Sequence, residues 1–257
     1  MVELNNHGLL TLFAVVLIAI FSAGEIGRLR GTRAVGRGGG DVSTLEGSTL
    51  GLLALMIGFT FAMALARFEV RRDAIVTEAN AIGTTALRAR LLPEPNRSEA
   101  LKLLKEYAQV RLEVTQSVLD ASALNAAIVR SNQIHEKLWQ NTIAVAARDP
   151  APVPTGVFIR SLNEMIDSHA KRLAAFHNRV PDIVFLALYG VAIVAFALVG
   201  YANGLEKRRV RLPTYLTGAI VASVILLVQD LDRPTSGFIS VSQQPMVDVI
   251  ESMASYQ

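Results

Sequence analysis

Glu78-Ala-Asn-Ala-Ile-Gly-Thr-Thr85 sets a carboxylate, an amide and two hydroxyls among small residues. At helical spacing Glu78, Ile82 and Thr85 share one side and Asn80 and Thr84 another. One carboxylate without a base nearby in sequence is a poor acid–base catalyst. The expected role of Glu78, Asn80, Thr84 and Thr85 is a buried hydrogen-bond network that fixes helix register, with ion or ligand contact as the alternative. Asp230 and Asp232, with Asp248 and Glu251 following, offer the oxygen ligands of a hard cation, so calcium is the one cofactor to weigh. Their spacing falls short of an EF-hand loop, and ion pairs to Arg233 and to the arginines after the second apolar run compete with it. His135, His169 and His177 have no histidine neighbour at helical spacing, which argues against a metal site. There is no Ser-His-Asp pattern, no His-Glu-x-x-His and no nucleotide loop, so the chain is not expected to be an enzyme. Arg67, Arg71 and Arg72 follow an apolar run. In an oligomer they would gather anions at a pore mouth, whereas in a lone helix they would only snorkel to the interface, with Glu69 and Asp73 diluting the field.

The elements that must position these groups are mostly apolar helices. The chain has 257 residues, is 51% hydrophobic and 18% charged, and has a mean hydropathy of +0.38, which predicts part membrane and part water. Four stretches approach the length of about 20 residues that a crossing needs: Gly8 to Ala23, Leu45 to Leu65, Ile183 to Tyr201 and Tyr215 to Val228. The leader Met1 to His7 lacks the positive charge of a signal peptide, so the first run is expected to be a retained anchor. Cysteine is absent, which excludes disulfides and thiolate chemistry. The pI of about 9.4 comes from arginines flanking the apolar runs, without the basic and aromatic alternation that single-stranded nucleic acid requires.

Two ridges run along the second apolar stretch. Ala54, Gly58, Ala62 and Ala66 form a small-residue ridge suited to close helix packing in lipid. Gly51, Leu55, Phe59 and Met63 form an adjacent, mostly larger one. The stretch continues into good helix formers until Pro93 and Pro95, which predicts one long helix leaving the bilayer. Ser98 is the expected N-cap of the next amphipathic helix, and helical texture persists to about Ala147. Asp149 to Pro154 reads as a stiff turn and Val157 to Val180 as an amphipathic helix. Pro181 and Asp182 open the third span, and Pro245 to Met253 form a short helix. No internal repeat and no β-sheet is expected. The organisation predicted is 1–66 for the first two spans, 67–180 for a helical extramembrane domain, 181–229 for the third and fourth spans, and 230–257 for an acidic turn and C-terminal helix.

Glu25 to Gly40, with Arg28, Arg30, Arg33 and Arg37, reads as a flexible basic loop. It has no Gly-Lys-Ser/Thr and so is no phosphate loop. Lys207 to Arg211 form a second basic loop. Both are cytoplasmic by the positive-inside rule, which places the helical domain on the extracytoplasmic side of a bacterial inner membrane.

The run Gly58-Phe-Thr-Phe-Ala-Met-Ala-Leu-Ala-Arg67-Phe68-Glu69 resembles the bestrophin pattern of a Gly-Phe pair, an apolar stretch and an Arg-aromatic pair. With Glu78 to Thr85, Leu91-Leu-Pro-Glu-Pro95 and Asp230-Leu-Asp-Arg-Pro234, it is similar to the prokaryotic bestrophin-like family. The resemblance covers most of the chain. It implies an all-α fold with four transmembrane helices and a helical extramembrane domain, assembled as a homo-oligomer, expected as a pentamer. The pore for small inorganic anions would be lined by the second span, with Gly51, Leu55 and Phe59 at its neck. Bestrophins hold the helical domain in the cytosol, which opposes the loop-arginine argument. They also carry an acidic segment after the fourth helix, a calcium clasp in animal members, and here it is shorter. The rival expectation is a membrane-embedded sensor or scaffold whose helical domain binds a ligand or partner without conduction. Lipid is a partner on either reading, and nucleic acid on neither.

Overall fold

A computed structural model describes residues 8–35, 42–116, 121–148, 153–207, 211–234 and 237–256. Among these residues the chain forms eight helices and no strand: α1 (Leu9–Arg33), α2 (Val42–Ala89), α3 (Asn96–Gln116), α4 (Ala121–Ala146), α5 (Val153–His177), α6 (Asp182–Leu205), α7 (Leu212–Asp232) and α8 (Gln244–Ala254). Four helical stretches are long and apolar enough to cross a membrane. The chain divides into two compact units. The first contains α1, α2 up to Ala66, α6, α7 and residues 237–239. The second contains α2 from Arg67, α3, α4, α5 and α8.

In the first unit, Val16 and Ile20 of α1, Leu53 of α2, Leu188, Ala192 and Phe196 of α6, and Ala222 and Ile225 of α7 form one core. Here α1 departs from expectation. It continues past Ala23 as helix to Arg33, through residues that read as a flexible loop. The glycines of this stretch are interface positions: a Cβ on Gly27 would stand 2.0 Å from the carbonyl oxygen of Ala197, and across the contact one on Gly200 of α6 would stand 1.9 Å from that of Gly24. Without side chains the two backbones touch, and that contact compensates for the low helix propensity of glycine. Arg28 pairs with Glu25 one turn away, and Tyr215 of α7 donates to the same carboxylate at 2.5 Å. Arg37 and the glycines after it lie outside the described residues.

In the second unit, Ile82, Leu104, Tyr107, Ile134, Leu138, Phe158, Leu162, Met165 and Met246 are all fully buried, drawn from α2, α3, α4, α5 and α8. The long second helix stops at Ala89, ahead of Pro93 and Pro95 as expected. Ser98 does not cap α3. The helix begins at Asn96, and the Glu94 carboxylate accepts from the Ser98 backbone N–H and hydroxyl. The stiff turn is shorter than expected because Val153 and Pro154 already belong to the first turn of α5, where a proline lacks only an N–H that would be unsatisfied anyway. Likewise Asp230 and Asp232 close α7 instead of following it.

Candidate functional site

On α2, Arg71, Ile75, Glu78, Ile82 and Thr85 are buried, a stripe of one residue every three or four. Asn80 is exposed and Thr84 half-buried, because each sits well round the helix from Glu78. The expected network of Glu78, Asn80, Thr84 and Thr85 therefore reduces to Glu78 and Thr85. The Thr85 hydroxyl reaches the Ala81 and Ser161 carbonyl oxygens.

Glu78 is fully buried and collects its partners from α3 and α5. Oε1 accepts from Tyr107 Oη at 2.5 Å and Arg111 Nε at 2.9 Å, and Oε2 accepts from Arg172 Nη1 at 2.6 Å. Tyr107 has one hydroxyl proton, which goes to Glu78. The 3.0 Å contact between Tyr107 Oη and His169 Nδ1 is therefore a bond donated by the imidazole. His135 packs into the same group, its ring tilted against Tyr107 at a centroid distance of 4.8 Å and perpendicular to His169 at 5.1 Å.

The electrostatics follow from that geometry. Burial by itself pushes the Glu78 carboxyl up, but bonds and charge from His169, Arg111, Arg172 and Tyr107 outweigh it and hold the group well below the usual carboxylate range. Burial raises the Tyr107 hydroxyl, and the adjacent Glu78 raises it further. Burial and the neighbouring His169 push His135 down to about 4. Glu78 is thus a permanent anion clamped between two cations, with no proton to give or take at neutral pH. That suits binding and architecture, not acid–base catalysis.

The remaining candidates are dispersed. Arg71 departs from the expected pore-mouth trio: it is 5% exposed and belongs to the interior of the second unit. Arg67 donates to Asn178 at 3.3 Å, and exposed Arg72 lies 3.6 Å from Glu69. Asp230 accepts from the backbone N–H groups of Phe238 and Ile239 at 2.9 Å each, and Asp232 accepts from that of Val180 at 2.9 Å. Among the described residues no three His, Asp or Glu side chains stand close enough to share a metal ion. On the membrane part of α2, Leu53, Thr60 and Ala64 face the core. Gly51, Leu55 and Phe59 are exposed, as are Ala54, Gly58, Ala62 and Ala66, whereas Met63 at the end of the larger ridge is half-buried. Tyr107, Arg111 and Arg172 are the site residues that spacing alone did not single out.

The model of the bestrophin-like domain family matches residues 40–246. Among solved structures, a single-substitution variant of a bacterial bestrophin homologue from Klebsiella pneumoniae superposes with a TM-score of 0.68 at 15% identity, covering 97% of each chain. The same homologue, phased on zinc, gives 0.66 at 15% identity over 94% of this chain and 95% of that one. A second variant gives 0.64 at 14% identity over 95% and 98%. No curated protein matches the sequence.

Proposed function

We propose that this chain, which belongs to the bestrophin-like family, is an oligomeric channel for small anions with a pore lined by α2. Members of that family are known as anion channels. The observation that carries the reading is the uncovered face of α2, where Leu55 is 55% and Phe59 63% exposed in the single chain. Beside them the ridge of Ala54, Gly58, Ala62 and Ala66 is equally free to meet a neighbouring copy. Two adjacent ridges, one small and one large, are what a ring needs: the first brings helices together and the second turns to the axis. A pentamer in the inner membrane is the assembly we favour.

In such a ring Gly51, Leu55 and Phe59 form the neck. An apolar constriction excludes water when narrow and opens when it widens. Phenylalanine presents a positive ring edge that a partly dehydrated anion can approach. Gly51 adds no bulk, so Leu55 and Phe59 carry the constriction. Arg67 and Arg72, at the end of the apolar run, supply positive charge that raises the local anion concentration.

Phe59→Ala is expected to raise chloride flux in proteoliposomes, and adding Leu55→Ala to raise it further. Equal tightness of the natural chain and both variants would remove the neck and the conduction with it. Orientation has its own readout. By the arginines of α1 and of the segment between α6 and α7 the second unit lies outside the cytoplasm. A cysteine introduced at Asn125, exposed on α4, should then react with an impermeant maleimide in intact spheroplasts. Labelling only after lysis would put the unit in the cytosol.

A further inference from the structure

Within the second unit a cavity of about 50 Å³ is lined by the polar residues Arg71, Arg111, Arg172 and Gln243. Leu173, Phe176 and Val241 are among its apolar lining residues. Arg111 and Arg172 share Glu78 as their carboxylate, so this pair holds one positive charge more than its partner supplies. Arg172 places its second terminal nitrogen on Gln243 Oε1 at 3.1 Å. Arg111 is 2% exposed and spends Nε on Glu78, while its Nη1 is buried with no hydrogen-bond partner. A buried guanidinium N–H without an acceptor is costly, and a small cavity beside it is the place from which an acceptor would come.

We propose that this cavity is a binding site for a short-chain carboxylate, whose oxygens accept from Arg111 Nη1 and the neighbouring guanidinium groups. Its alkyl carbons lie against Leu173, Phe176 and Val241. The planar guanidinium matches a carboxylate better than a sphere. Volume sets the size: at about 10–15 Å³ per water-sized group, the cavity holds about three to five non-hydrogen atoms, as in acetate or propionate. A halide would satisfy the charge and leave the apolar end unfilled. The site goes beyond conduction and gives the helical unit a ligand of its own.

The test is a melting experiment on the full chain in detergent, so a failure to conduct would not touch it. Trp139, the single tryptophan, packs against the core of the second unit, and its fluorescence follows the unit that holds the cavity. Sodium propionate, exchanged for sodium chloride at constant ionic strength, should raise the midpoint by several degrees, growing with the logarithm of concentration as mass action requires. Benzoate, too large for the volume, should not. Val241→Phe, which fills the cavity from a segment outside the helices and leaves the arginines and Glu78 in place, should melt near the natural chain and lose the response. Should that variant not fold, Leu124→Phe fills the same cavity from α4. No rise with propionate, an equal rise with benzoate, or a rise that survives the filled cavity would each overturn the assignment.

Discussion

Glu78→Gln is expected to lower the stability of the second unit by about 3–5 kcal/mol, because it leaves two buried guanidinium groups facing an amide. The side chains of Arg111 and Arg172 are 3% and 9% exposed, so water cannot replace the lost charge. Tyr107 would keep an acceptor in the glutamine oxygen, which separates loss of charge from loss of a hydrogen bond. Trp139 fluorescence during thermal melting reads the effect in the unit concerned. Adding Arg172→Met should return part of the loss, since removing one cation relieves the imbalance, and the two substitutions should be strongly non-additive. A Glu78→Gln variant that melts like the natural chain would show that the buried cluster contributes no net stability.

The same cluster sets a direction for pH. His135 has its folded value pushed down to about 4 from 6.5, so between those values the unfolded chain binds a proton that the folded chain refuses. Stability is full above the unfolded value and falls as pH falls through that window. Glu78 adds to it with the same sign below its ordinary value of 4.5, because its folded value is lowered too. The second unit is therefore acid-labile, with the loss beginning near pH 6.5 and steepening below 4.5.

Periodicity revealed the inward side of α2 because Glu78, Ile82 and Thr85 recur at helical spacing whatever packs on them. It could not reveal that Glu78 meets Tyr107 and Arg111, 29 and 33 residues on, or Arg172 a further two helices away. A local signal for those partners existed: Tyr107 and Arg111 are one helical turn apart, as are His169 and Arg172, and His169 falls on the apolar side of α5 with Leu162 and Leu173. A polar pair on an otherwise apolar side marks a shared buried partner, even when the sequence does not say which. In the sequence, charge alone groups the arginines after the second apolar run. The helix sorts them by angle instead, sending Arg71 inward and Arg72 outward. The four apolar runs needed no long-range information, since length and composition define them.

The glycines of α1 escape a sequence reading for a related reason, and they carry the other large expected effect. In a single sequence a glycine in an arginine-rich stretch looks like a turn. Only the partner helix shows that Gly27 and Gly31 of α1 meet α6 near Gly200 and Gly204. Gly200→Leu is expected to push α1 and α6 apart, because even its Cβ would lie 1.9 Å from a backbone oxygen that cannot rotate away. Overpacking of a core costs about 1–3 kcal/mol when side chains can yield, and here the obstacle is backbone, so the loss should reach or exceed the top of that range. Gly190→Leu is the matched control on the same helix, since a Cβ there meets nothing within 4 Å. Helicity lost on titration with sodium dodecyl sulfate should shift to lower detergent for Gly200→Leu and stay in place for Gly190→Leu. Trp139 should report an unchanged second unit in both, because the damage is confined to α1 and α6. Equal behaviour of the two variants would mean that the α1–α6 contact is not what holds the first unit together.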